Sequence, residues 1–313
     1  MEFAGSWPSV LSPSPSGDAY AAAGARIRRA RPLLGTRVEI GVAGPVPVAE
    51  LHQAVDAAFA AIERIERLMS YHDPHSELSR INREGAVRAQ RVHPDTCAVV
   101  RAALRFAALG GGAFDPCVAP CLEEWGLLPR HASARADPAA SWRDIEILDG
   151  DQVRFWRALR LDLGGIAKGY AVDQAVRVLK AAGVGSILVN AGGDLRVAGE
   201  GFEAIGLRSP RTPWLAAHTL TLRDTALATS SACYSRRRTS AGVEVSALLD
   251  PMSRAAHLGA DSVSVRAGDC MTADALTKIV LFADRQTGER ALRTCSARAL
   301  VLGADGADCA SRA

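Results

Sequence analysis

Apolar residues recur along the chain at two spacings, and the changes of spacing divide it into short elements. Between Val48 and Met69, the residues Leu51, Val55, Ala58, Phe59, Ile62, Ile65 and Leu68 return every three or four positions, which predicts a long amphipathic helix. A second such run, Pro94–Leu109, stops at Gly110-Gly-Gly, and Ser76 stands as N-cap before a short one reaching Asn82. Leu33-Leu-Gly-Thr-Arg-Val-Glu-Ile reads instead as a turn followed by an alternating strand. Further strands are expected at 144–148, Gln152–Phe155, 186–190, 204–207, 218–222, 243–249, 262–265 and Arg298–Leu302, with helices at 166–182 and 271–283. Helices and strands alternate irregularly, which suggests an α+β fold rather than regular βαβ winding.

The two ends carry no such pattern. Residues 1–31 are rich in Pro, Ser and Ala and then basic (Arg26, Arg28, Arg29, Arg31), and are expected to be a disordered leader. The ordered domain is expected over 32–305, with a tail at 306–313 and a loop between lobes at 131–141. Early positive charge followed by an apolar run would mark a secretory signal, and the N-terminal sequence has neither. No stretch approaches the roughly 18 apolar residues of a membrane span. Cytoplasm is the default expectation, with no integral membrane segment.

Composition narrows the function classes. The 313 residues are 48% hydrophobic and 23% charged, the balance of an ordinary globular protein. Aromatics make up 5% and the net charge is only +3, with no basic stripe, so a nucleic-acid surface is not expected. The seven cysteines form no CxxC pair and no zinc-ligand spacing with His, which fits free thiols in a reducing compartment.

Three segments could carry chemistry. In Leu161-Asp-Leu-Gly-Gly-Ile-Ala-Lys-Gly-Tyr-Ala-Val-Asp173, two glycines open a helix whose unpaired N–H groups and dipole suit a phosphate, with Lys168 in the first turn and Asp162 just before. Taken alone, the same residues fit a capped helix with a solvated lysine, and they match neither the P-loop nor the GxGxxG pattern. Val189-Asn-Ala-Gly-Gly-Asp-Leu-Arg196 places a second glycine pair after a buried strand, where backbone can approach a ligand closely or simply turn. Asp274, Thr277 and Lys278 share one face of the last long helix. A carboxylate with a hydroxyl suits magnesium, and a capped helix with a surface acid fits equally well.

Taken together, these segments closely resemble the signature of the ApbE family of flavin transferases. Beyond the two glycine segments, seven matches stand in the same order: Leu34-Gly-Thr36, Ser76-Glu-Leu-Ser-Arg-Ile-Asn82, Gly112-Ala-Phe-Asp-Pro116, Trp125-Gly126, Ala228-Thr-Ser230, Leu249-Asp-Pro251 and Ala273-Asp-Ala-Leu276. The resemblance spans about residues 33–303. It implies a two-lobed, T-fold-like α+β catalytic domain with mixed sheets and packed helices. It also implies an enzyme that moves FMN from FAD to a Ser or Thr hydroxyl of an acceptor protein, with magnesium on the pyrophosphate and AMP released.

By the matching motifs, Asp162 and Lys168 would contact FAD, Ala113, Phe114 and Asp115 would line the flavin side, and Leu34 and Leu249 would complete the FAD set. Gly165, Asp274 and Thr277 would hold the metal, and Lys168, Asp274 and Tyr234 are the catalytic candidates. Three departures stand out. Ala247 occupies the place of the family's His before Asp-Pro, which makes an FAD-binding or FAD-hydrolysing relative without transferase activity the alternative reading. Ser230-Ser-Ala-Cys-Tyr234 alters a Ser-Gly-x-Tyr turn. Lys278 stands where a Thr is usual. His257 could supply an imidazole in place of the missing one, though a partly exposed His with no such role is the commoner case.

Overall fold

The computed structural model describes residues 25–130, 135–210, 212, 214–303 and 308–312. Strands β1 (Ala25–Leu33) and β2 (Thr36–Gly44) form a hairpin closed by Leu34 and Gly35, both at positive φ (57° and 67°). The Leu34 N–H donates to Glu66 Oε1 at 2.9 Å, which ties this strained turn to helix α1 (Val48–Met69). Residues 25–31 are therefore not a disordered leader. The inward positions of β1 are Ala25, Ile27, Arg29, Arg31 and Leu33, and two arginines in that row hide the alternation. Arg29 and Arg31 pair with Asp56 of α1, and the Arg31 guanidinium lies 4.6 Å from the Phe59 ring centroid. The Pro/Ser stretch lies outside the described residues, as do 131–134 of the expected inter-lobe loop.

After α1 come α2 (Glu77–Glu84), β3 (Gln90–Arg91), α3 (Pro94–Leu109), α4 (Ala119–Glu124), β4 (Ile145–Leu148) and β5 (Gln152–Phe155). Ser76 caps α2 as expected, its Oγ accepting from Ser79 N at 3.0 Å. Strands β3, β5 and β4 make a small sheet. Next are α5 (Ala167–Ala181), β6 (Ser186–Ala191), β7 (Asp194–Arg208), β8 (Ala216–Ser231), β9 (Arg237–Arg238), β10 (Glu244–Val245), β11 (Ser262–Ala267), α6 (Cys270–Phe282), α7 (Arg285–Thr294), β12 (Arg298–Leu302) and β13 (Asp308–Arg312).

Eight strands form one sheet in the order β1-β2-β6-β7-β8-β11-β12-β13. The α+β class holds, but every pairing among the described residues is antiparallel, so the sheets are not mixed. The expected short strands near 204–207 and 218–222 are parts of a 15- and a 16-residue strand whose register shifts between Val197 and Phe202. The expected tail contains β13, paired with β12. One face of the sheet packs α1, α5 and α6 over the main core, and a smaller cluster around Leu195, Val197, Leu222 and Leu227 fills a second layer. Among the described residues no helix is long and apolar enough to cross a membrane, and six cysteines are free thiols.

Candidate active site

The site is built where α5 crosses α6. At Gly169 a Cβ would sit 2.4 Å from the Cys270 carbonyl oxygen, so only glycine lets the two helices approach this closely. The crossing brings each helix's carboxylate to the other's N-terminus. Asp274 of α6 accepts from Gly169 N at 3.3 Å, in the first turn of α5, whose N-cap residue Ile166 offers no side-chain bond. Asp173 of α5 accepts from Cys270 N at 3.0 Å and Met271 N at 2.9 Å, at the start of α6. Each carboxylate meets the positive end of the facing helix.

Around Asp274 the charges form a quartet. Lys168 pairs with Asp194 and lies 3.6 Å from Asp274 Oδ2, while Lys278 pairs with Asp274 Oδ1 and donates to the Asp274 carbonyl at 3.1 Å. Asp274 is wholly buried and Asp194 nearly so. Burial alone would lower the Lys168 pKa, but the charges of Asp194 and Asp274 outweigh it and raise it, keeping the ammonium charged. Burial, and then the Asp274 charge, push Asp194 up. Asp194 is delivered by the turn after β6, where Gly192 (φ 66°) lies so close to Thr36 that a Cβ would be 2.5 Å from its Oγ1. The Leu34–Thr36 turn thus supports the Asn-Ala-Gly-Gly-Asp turn.

Beside the quartet lies a cleft whose walls come from four separated stretches: Ala113, Phe114 and Asp115; Asp162 and Gly165; Ala247, Leu248 and Leu249; and Lys278 and Phe282 of α6. Asp162 accepts from Gly164 N at 2.9 Å, and its own N–H donates to the Pro116 carbonyl at 2.7 Å, joining two walls. Asp115 accepts from Cys117 N at 2.8 Å. Burial raises the pKa of both carboxyls. A roomier groove runs past Tyr170, Asp173, Gln174, Arg177, Arg196 and Asp269, but both of its carboxylates are consumed by the α6 N-terminus. Most of the residues expected to bind FAD gather at the narrower cleft instead.

Ala113, Phe114, Asp115, Asp162, Gly165 and Leu249 are thus brought together. Lys168 and Asp274 lie in the adjoining quartet, and Leu34 lies outside the cleft lining, packed against the main core. Tyr234 ends a 3-10 turn, and its side chain lies outside the described residues. The helix-end N–H groups are less free than expected: Gly164 N bonds Asp162, Ala167 N bonds the Leu163 carbonyl, and Gly169 N bonds Asp274. Of the expected strand at 243–249, only β10 forms. Beyond it, Ser246 Oγ donates to the Leu248 and His257 carbonyls and shapes the cleft rim. Ala247 is exposed there. His257 is half-buried, with Nε2 3.3 Å from Asp261 and its ring edge-on to Phe282.

Magnesium would need oxygens free to turn toward it. Asp274 has one oxygen on Lys278 and the other on Gly169 N, close to Lys168. Thr277 is fully buried, its hydroxyl bonded to Ser230 Oγ and to the Asp274 carbonyl, both at 2.7 Å. Gly165 faces the stem of Lys278: a Cβ there would lie 3.5 Å from Lys278 Cε. Among the described residues no group of three or more His, Cys, Asp or Glu gathers as a metal site. The donor set expected for magnesium does not fit it in this arrangement. Two participants, Asp194 and Ser230, were not singled out from the sequence, although both lie inside recognised motifs; their partners are 26 and 47 residues away.

The ApbE family's sequence profile matches residues 34–301, and the chain belongs to that family. It is 29% identical to the FAD:protein FMN transferase of Treponema pallidum over 284 residues, covering 80% of this chain and 78% of that protein. It is 26% identical to the FAD:protein FMN transferase of Vibrio cholerae, covering 82% of this chain and 81% of that protein. The crystal structure of the ApbE protein from Thermotoga maritima superimposes with a TM-score of 0.79 at 27% identity, covering 91% of this chain and 96% of that one.

Proposed function

We infer that this chain transfers FMN from FAD to a Ser or Thr hydroxyl of an acceptor protein. The hydroxyl oxygen attacks the FMN phosphorus, the bond from that phosphorus to the bridging oxygen breaks, AMP leaves with that oxygen, and the hydroxyl proton passes to solvent. What supports the reading is the convergence of Ala113–Asp115, Asp162, Gly165 and Leu249 on one cleft beside the Lys168 and Lys278 ammonium groups, in a chain whose relatives are named FAD:protein FMN transferase. Phosphoryl transfer needs positioning and neutralised charge more than covalent help. Lys168 and Asp162 would hold FAD, with Phe114 against the flavin. No step is assigned to magnesium. A cytoplasmic location belongs to the same proposal, supported by the free cysteines.

The test is incubation with FAD and a panel of Thr- and Ser-containing acceptors, followed by intact mass and AMP measurement. Covalent FMN on an acceptor, matched one-to-one by AMP, is the expected result. Failure to bind FAD would sink the reading. Exposed Ala247 at the rim favours a second reading, in which FAD is held or split to FMN and AMP while acceptors stay unmodified. An Ala247→His chain tests the difference: an imidazole at that rim can accept the hydroxyl proton near neutral pH, which alanine cannot. Transfer should rise by about 10²-fold with FAD affinity unchanged. Unchanged transfer would shift attention to His257.

A further inference from the structure

We propose that Lys278 is a built-in cation that takes the place of a divalent metal at this cleft, so that the chain binds FAD without one. The proposal rests on the reading of the cleft as an FAD site. A diphosphate diester brings negative charge to a cleft beside which Asp274 and Asp194 already lie buried. With Lys168 alone, two buried carboxylates would face one ammonium, and a further cation would be required. Lys278 closes that gap from within the same helix, four residues after Asp274, the spacing at which a helix places side chains together. The quartet of two lysines and two aspartates is then neutral.

The position of Lys278 is specific. Its stem lies against Gly165, where no side chain intervenes, and its head lines the cleft. An ammonium has three N–H donors. Two go to the Asp274 carboxylate and carbonyl, which leaves one for a phosphate oxygen. Thr277, the hydroxyl otherwise available to a metal, is turned to Ser230 inside the core. A divalent ion would have to displace Lys278 from Asp274 and break these contacts together.

The experiment uses the full chain, stripped with EDTA. FAD affinity of the wild type should be equal within about two-fold in EDTA and in excess magnesium. Manganese alone, followed by its EPR signal without FAD, should stay free. In Lys278→Thr, FAD affinity in EDTA should fall at least about ten-fold, added magnesium should restore it, and manganese should now be taken up. Lys278→Arg should keep metal-independent binding. One tightly held manganese per wild-type chain, or a clear loss of wild-type affinity in EDTA, overturns the proposal. So does a Lys278→Thr chain that keeps full affinity in EDTA, or one whose loss no metal repairs. If Lys278→Thr does not fold, the wild-type measurements and Lys278→Arg decide. If the wild type binds no FAD in either buffer, the functional reading fails, while the manganese comparison still decides this proposal.

Discussion

The two ends of the α5–α6 crossing are built on one plan and finished differently. At one end Asp173 reaches across to the first N–H groups of α6, and at the other Asp274 reaches back to the first turn of α5. Asp173 is held by two backbone N–H groups and by the Arg196 guanidinium at 2.7 Å. Asp274 has one longer backbone bond and two lysine heads, Lys168 and Lys278, on flexible stems. A carboxylate satisfied by backbone locks two helices together. One satisfied by lysines also locks them, but leaves side-chain ammonium groups beside a cleft. The same reciprocal cap is structural at Asp173 and available for chemistry at Asp274.

The comparison breaks first at Asp274. Removing it as Asp274→Ala leaves Lys168 and Lys278 facing Asp194 alone in a buried site, and should cost about 3–5 kcal/mol of stability. Urea melts and FAD titration should both show the loss. A stable variant with normal FAD affinity would mean the quartet is not coupled to the fold. Asp173→Ala should cost less, about 2–3 kcal/mol, because Arg196 is partly exposed and water can reach it. Its FAD affinity should stay within about two-fold of wild type, since no cleft residue contacts it. Equal loss of FAD affinity in Asp173→Ala and Lys168→Ala would erase the distinction between the two ends.

How much of this could be read in advance depended on how far apart the partners lie. Helices α1 and α3 were legible to the residue, because an apolar face of several turns and terminal signals such as Pro94 fix them locally. Strand β1 was missed because Arg29 and Arg31 occupy inward positions, where their guanidinium heads lie over the Phe59 ring and pair with Asp56 of α1; periodicity counts them as solvent-facing. Strands β7 and β8 were cut short because exposed and polar positions, with Gly199, Gly201 and Gly206, interrupt the alternation along a bent hairpin. The cleft residues were legible as motifs. Their pairings were not: Asp194 meets Lys168 and Ser230 meets Thr277 only once the sheet and helices have assembled. The contact of Lys278 with Asp274 was implicit in their spacing, and it changes the meaning of both.

The smallest effect concerns Asp162, a third carboxylate with fewer donors than either helix cap. It accepts from Gly164 N, and burial raises its pKa above the ordinary 3.8 despite that bond and the lysine charges nearby. The folded chain therefore holds the Asp162 proton more tightly than the unfolded chain. The associated stability is fully present below the unfolded value and is lost as pH rises through the folded one. Asp162→Asn keeps the Gly164 bond through its carbonyl oxygen and removes the titration. The variant and the wild type should therefore be equally stable at about pH 3.5. At neutral pH the variant should be the more stable, and urea melts of both chains at the two pH values check this. FAD affinity should fall at the same time if Asp162 contacts the substrate, so that stability and binding move in opposite directions. A wild type more stable than the variant at neutral pH would mean that the surrounding donors, not burial, govern this carboxyl, and Asp162 would then belong with Asp173 as a structural cap.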